Sequence, residues 1–380
     1  MILFLLAILL LYGLLHLYIY YKIQAAIAFG AVAMVLLICF MVIMVFSPVF
    51  VRISERYGFE SFARYLSYVG YTWMGLAFLF FFCSLLVDLY RIAVYTGGMI
   101  VKENPSLLLP SPRLAVVISI VVSAAIVFYG YLEAFSVRTE RVVIKSPKIP
   151  EQTQGITIAQ ISDLHLGLIV GHARLKRILS QVSRANPDIL VSTGDLVDGQ
   201  IDSLGNLGEL LRNVHAPYGK FAVTGNHEFY AGLHQALHFT EQAGFTILRG
   251  EAMPVGSVLA IAGVDDPTGK HFGLSGNISE KSMLSEIDHD RFTILLKHQP
   301  VVNRDSDSLF DLQLSGHTHG GQIFPLNLFV RLVYPVDSGL TCLEHGSYLY
   351  VSRGSGTWGP PIRFLSPPEV TIIELVHGET

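Results

Sequence analysis

The chain has 380 residues, enough for two domains, with 51% hydrophobic and 15% charged residues and a formal net charge of −4. That balance excludes an ordinary soluble enzyme over the whole length, and the lack of a basic tract argues against non-specific nucleic-acid binding. Cys39, Cys83 and Cys342 are too scattered for a disulfide framework or a CxxC zinc site.

The apolar excess lies before residue 135. Four runs are each long enough to cross a hydrocarbon core of about 30 Å as a helix. They are Ile2–Tyr20, Ala25–Val51, about Leu66–Val87 and about Leu114–Leu132. Tyrosines near the run ends, among them Tyr18, Tyr20, Tyr21, Tyr90, Tyr129 and Tyr131, fit an interfacial aromatic belt. The alternative for the first run, a signal peptide, lacks a basic start and a small-residue cleavage site.

Four spans put both ends of the region on one side. That side carries Arg52, Arg56, Arg64, Arg138, Arg141, Lys145 and Lys148, against Lys22, Arg91, Lys102 and Arg113 on the other. The excess predicts that the part after the fourth run lies in the cytoplasm. Asp88 and Arg91 near the end of the third run read as interfacial snorkelling residues or as a buried pair. His16 reads as a polar group packing helices together. The resulting division is a membrane region over 1–135, a linker over 136–154 marked by Pro147 and Pro150, and a catalytic domain over 155–380.

From Ile156 onward, strand-like and helix-like segments alternate, which predicts an α/β fold with its site at strand ends. The strand at Ile156–Ile161 runs into Asp163-Leu164-His165, and Ile189–Ser192 into Gly194-Asp195. Gly219–Val223 runs into Gly225-Asn226-His227-Glu228, Phe292–Leu296 ends before His298, and Leu312–Ser315 before Gly316-His317-Thr318-His319. Each piece alone is ambiguous: an Asp after Gly is often a turn residue, and a lone His is often structural. Five pieces in this order, each at a strand exit, point to one two-metal site for cutting phosphate esters.

Two divalent ions about 3.5–4 Å apart can clamp the attacking and leaving oxygens of a phosphoryl transfer. One ligand must touch both, and Asp195 is the candidate. Asp163 and His165 would serve one ion, Asn226 the other, with His298, His317 and His319 completing the shells. Two carboxylates against two divalent ions leave the cluster positive, which would attract phosphate and acidify a bridging water to a hydroxide nucleophile. His227, beside Asn226, is then a candidate to stabilise the transition state or protonate the leaving oxygen.

The blocks D-x-H, G-D-x-x-D, G-N-H-E, H and G-H-x-H over about Gly155–Leu375 resemble the calcineurin-like metallophosphoesterase superfamily. The resemblance implies a four-layer αββα sandwich, which here follows the four-helix transmembrane region read from the apolar runs. It also implies a dinuclear centre of Mn, Fe, Zn or Ni, with Mn favoured. Asp163, His165, Asp195 and His319 would hold one ion, and Asp195, Asn226, His298 and His317 the other. The Gly320-Gly321-Gln322 continuation resembles the membrane-associated bacterial branch of YkuE- and YaeI-like phosphodiesterases. Some members of that branch cleave the pyrophosphate of UDP-2,3-diacylglucosamine.

Several roles stay open at this level. Asp198 could orient a histidine or cap a helix. Arg353 and Arg363 could bind substrate phosphate or form structural ion pairs. Trp358 could face substrate or anchor at the interface. The apolar stretch Phe324–Tyr334 is either a flap dipping toward the bilayer or ordinary core. The expected function is a membrane-anchored phosphoesterase acting on a phosphoester or pyrophosphate, with a lipid or lipid-linked nucleotide favoured and no nucleic-acid partner. A nuclease of the same superfamily, or a sensor or transporter with a metal-binding soluble half, is the alternative.

Overall fold

The computed structural model describes residues 2–102, 104–153, 155–199, 201, 204–274, 276 and 278–379. The chain divides into two compact units, Met1–Tyr131 with Gly359–Ile362, and Leu132–Trp358 with Arg363–Thr380.

In the first unit the four apolar runs become α1 (Ile2–Ala26), α2 (Ala31–Arg56), α3 (Glu60–Val101) and α4 (Pro112–Ala134). Among the described residues these four helices are long and apolar enough to cross a membrane. The 42 residues of α3 extend well beyond the expected third run. At 1.5 Å per residue it reaches about 63 Å, roughly twice the hydrocarbon thickness. His16 packs α1 on α3 as expected. The Trp73 indole N–H donates to its Nε2 at 2.8 Å, and its Nδ1 lies 2.8 Å from the Tyr12 carbonyl. Asp88 does not pair with Arg91. It accepts from Lys22 on α1 and, at 2.8 Å, from the Tyr18 hydroxyl.

The second unit holds β1 (Arg138–Ser146), β2 (Ile156–Ile161), α5 (His172–Ala185), β3 (Ile189–Ser192), α6 (Leu207–Arg212) and β4 (Lys220–Ala222). It continues through α7 (Asn226–Ala231), α8 (Leu233–Gln242), β5 (Thr246–Ile247), β6 (Glu251–Val255), β7 (Leu259–Gly263), α9 (Thr268–Phe272) and α10 (Glu280–Ser285). It closes with β8 (Phe292–Leu296), β9 (Leu312–Ser315), α11 (Leu326–Val333), β10 (Gly339–Cys342), β11 (Tyr348–Val351) and β12 (Glu369–His377).

The strands form two six-stranded mixed sheets, ordered β1-β12-β2-β3-β4-β5 and β10-β11-β9-β8-β7-β6. Their inner faces share one core, with Ile158, Val191 and Phe221 from the first sheet meeting Ile261, Ile294 and Leu314 from the second. Amphipathic α5 buries Leu175, Ile178, Leu179 and Val182. It packs on β2 and β12 of the first sheet, beside α6. Met283 and Leu284 of α10 pack with Ala262, Leu295 and Phe310 on the second sheet. The expected αββα layering follows. Central strands such as β3 and β8 are buried at every residue, as parallel strands covered on both faces must be.

Residues 138–146, expected within the linker, instead form β1, paired in parallel with β12 from Arg138↔Glu369 to Ser146↔His377. Its Arg138, Arg141 and Lys145 point to solvent while Ile144 is buried, so an edge strand's outer face read as linker charge. Register sets the site: Ile161 pairs with Ser192 and Ser192 with Ala222, while Leu296 pairs with Leu314 and Ser315 with Val351. The loops leaving these strands therefore start at matching levels.

Candidate metal centre

Backbone hydrogen bonds tie the loops to one another. Asp163 N–H donates to the Gly194 carbonyl at 3.1 Å, His165 N–H to the Asp195 carbonyl at 3.0 Å, and Gly316 N–H to the His298 carbonyl at 2.9 Å. Gly316 is required for space, because a β-carbon there would lie 1.9 Å from Ser162 Oγ and 2.3 Å from Asp163 Oδ2. Asp163, His165, Asp195, His317 and His319 all have positive φ, between 50° and 71°. Non-glycine residues rarely adopt this region, and such residues gather at functional sites.

The side chains converge as two adjoining groups. In the first, His165 Nε2 is 3.0 Å from His319 Nε2 and 3.7 Å from Asp195 Oδ2, and His319 Nε2 is 3.6 Å from Asp163 Oδ1. In the second, His298 Nε2 lies 3.3 Å from Asp195 Oδ2, 3.3 Å from Asn226 Oδ1 and 3.2 Å from His317 Nδ1. His298 Nδ1 is 2.7 Å from the Thr193 carbonyl and so carries a proton, which turns Nε2 toward the cluster. Asp195 belongs to both groups. His227 also converges with His165 and Asp195.

These donors fit divalent cations. Nitrogen lone pairs and carboxylate oxygens face one another in a buried space, an arrangement that is repulsive without positive charge between them. The electrostatics carry the same demand. Burial works against a charged ring at His298, yet the Asp195 carboxylate pulls it well above the usual histidine range. Asp195 is pushed up by burial but held well below the usual carboxylate range by His298 and His227. Burial and the Arg363 guanidinium hold His319 well below its ordinary value, as a neutral ligand ring requires.

His227 stands beside this centre, with Nδ1 3.0 Å from Asp198 Oδ1 and its main-chain N–H donating to Asp195 Oδ1 at 2.8 Å. Burial lowers its basicity, but Asp195 and Asp198 overcome this and push it up to about 9. Asp198 thus partners a histidine rather than capping a helix. Burial would raise its carboxyl, but the neighbouring His165 and His227 rings, 3.6 Å and 3.0 Å away, reverse that and hold it below the usual carboxylate range.

Arg353 and Arg363, open to either phosphate binding or structural pairing, both make protein contacts. Arg363 is fully buried and donates to the carbonyls of Gly356, His319 and Arg353, with Nη2 3.1 Å from His319 Nδ1. Arg353 pairs with Glu369 and Glu140, both at 2.5 Å. Their side chains meet protein groups because burying a guanidinium demands full pairing. Trp358 is half exposed, with its ring 5.8 Å from that of His227, beside Tyr230.

Glu228 had no assigned role. Its buried carboxylate accepts four main-chain N–H groups, from Gly225 at 2.6 Å, Leu196 at 2.8 Å, Asp195 at 3.0 Å and Val197 at 3.3 Å. It therefore clamps the Asp195 loop to the Asn226 loop. Its place three residues after Gly225, at the start of α7, is the capping-box position and was the available signal.

A sandwich of two mixed sheets between helices, with acids and imidazoles at the strand exits, defines a metal-dependent phosphoesterase. The family model for calcineurin-like phosphoesterases matches residues 156–321. The chain is 44% identical over 248 residues to an uncharacterized metallophosphoesterase of Aquifex aeolicus, covering 65% of this chain and 95% of that one. It is 34% identical to the uncharacterized metallophosphoesterase YkuE of Bacillus subtilis, over 65% of this chain and 89% of that one. It is also 30% identical to a Bos taurus transmembrane protein with metallophosphoesterase domain, over 86% of this chain and 76% of that one. The chain belongs to the calcineurin-like metallophosphoesterase family.

Proposed function

We propose that the chain hydrolyses a phosphoester or pyrophosphate bond in a membrane lipid or lipid-linked nucleotide, with UDP-2,3-diacylglucosamine as the model substrate. Asp163, His165, Asp195 and His319 would hold one divalent ion, and Asp195, Asn226, His298 and His317 the other, with Mn favoured. Bound ions supply positive charge to the phosphate and lower the pKa of a water. His227, oriented by Asp198, delivers a proton to the leaving oxygen. Glu228 and the paired loops hold these groups at fixed separations, so little reorganisation accompanies the reaction. The proposed setting is a bacterial inner membrane with the catalytic unit in the cytoplasm.

The observation that carries the lipid assignment is α11. It follows His319 closely in sequence, and none of its residues is buried. Leu328 and Phe329 are half exposed, and Leu332 is 82% exposed. An exposed apolar helix at this place is not ordinary core and suits acyl chains or the bilayer surface. The test is hydrolysis by detergent-purified protein, stripped of metal and reloaded with Mn²⁺, on bis-p-nitrophenyl phosphate and UDP-diacylglucosamine. Preference for the lipid nucleotide, lost in Asp195→Asn, supports the proposal. Turnover of the soluble diester alone refutes the lipid assignment, and absence of bound metal refutes the two-ion site.

A further inference from the structure

A second polar site lies in the helical unit, apart from the residues of the metal centre. A pocket of about 250 Å³ opens between α1, α3 and α4, lined by Lys22, Ser84, Asp88, Arg91 and Ser119. Its remaining wall is apolar, including Val87 and Val116. Lys22 sits near the end of α1, and Pro112, the first residue of α4, also lines the pocket. The pocket therefore lies close to the end of α1 and the start of α4.

Its charges do not cancel. Lys22 and the Tyr18 hydroxyl both engage Asp88, which neutralises that carboxylate. Arg91 has no ion-pair partner among the described residues, so two cations against one anion leave one positive charge. Two hydroxyls add to this. Ser84 and Ser119 are only 3% and 1% exposed, and neither Oγ has a hydrogen-bond partner. Serine in a membrane helix ordinarily bonds to a carbonyl of its own preceding turn, as Ser123 does to Ser119. Two buried hydroxyls without hydrogen-bond partners, lining a pocket with a guanidinium that has no ion-pair partner among the described residues, form a recognition surface for acceptors. A phosphodiester supplies one negative charge and several acceptor oxygens, and the apolar wall suits the chain attached to it.

We propose that this pocket binds the phosphate headgroup of an anionic phospholipid. Arg91 pairs with the phosphate, Ser84 and Ser119 donate to its oxygens, and Asp88 keeps Lys22 in place. The site is separate from the catalytic centre, and its occupancy does not require turnover.

The test is native mass spectrometry of the full-length, Mn-loaded protein in detergent, titrated with phosphatidylglycerol, phosphatidylcholine or inorganic phosphate. Phosphatidylglycerol binds more tightly than phosphatidylcholine. Arg91→Gln weakens it about ten- to a hundred-fold, the scale of one charged hydrogen-bond pair. Ser84→Ala/Ser119→Ala weakens it as well, and both variants still hydrolyse bis-p-nitrophenyl phosphate at the parent rate, which shows that they are folded. Unchanged phosphatidylglycerol affinity in both variants overturns the site. Equal affinity for the two lipids overturns its charge selectivity. Displacement of the lipid by equimolar inorganic phosphate reassigns the pocket to free phosphate and overturns the lipid assignment.

Discussion

Replacing Glu228 with Gln tests whether one carboxylate sets the spacing of the centre. One Glu228 oxygen accepts from Gly225 and Asp195, and the other from Leu196 and Val197. Glutamine keeps one such oxygen and turns an NH₂ group toward the other two N–H donors. Each buried donor left without a partner costs about 1–3 kcal/mol, so the substitution costs roughly 4 kcal/mol. At about 2–4 °C per kcal/mol for a domain of this size, the melting temperature falls by on the order of 10 °C. The measurement is the thermal transition of metal-stripped protein, so that lost metal affinity does not contribute. Metal-loaded Glu228→Gln should also lose activity, because the Asp195 and Asn226 loops would be held together less firmly. Metal-free parent and variant melting within 2 °C of each other, roughly, would refute the clamp.

Other expectations follow from the same geometry. His227→Ala should lower kcat by about 10²–10⁴ while leaving two metals per chain by elemental analysis, since it removes a proton donor and no proposed ligand. If His227 acts protonated, activity falls as pH rises through its pKa. Asp198→Asn removes a group that raises that pKa, so the alkaline limb of the kcat/KM profile should move to lower pH. Gly316→Ala should fail to bind metal in equilibrium dialysis, because its methyl group would displace Ser162 and Asp163. Leu328→Glu/Phe329→Glu should reduce hydrolysis of lipid substrate in vesicles and spare a soluble nitrophenyl ester, with equal loss on both counting against the membrane-facing role of α11.

The buried strands and the strand-end residues were legible because both signals are local. Parallel strands covered on both faces are written as unbroken apolar runs, as in Ile189–Ser192 and Phe292–Leu296. What escaped lies at edges. β1, β6 and β10 are edge strands, and β6 contains Pro254 with mostly exposed neighbours, so their one-sided patterns resembled loop. The fate of Arg353 and Arg363 was illegible for a different reason. Whether a guanidinium meets phosphate or protein depends on carbonyls and carboxylates from Glu140 to Glu369, brought together only by the fold. Glu228 was visible as a motif letter, but its four donors come from two loops.

The left-handed backbone at the proposed ligands sets stability against function. Of the five such residues, His317 alone is not fully buried. Glycine there would relieve about 1 kcal/mol of backbone energy, and the imidazole it removes is only partly buried. The metal-free protein should therefore become more stable as a ligand disappears. Selection for a robust fold alone would favour glycine at this position, whereas the proposed metal binding there calls for the histidine.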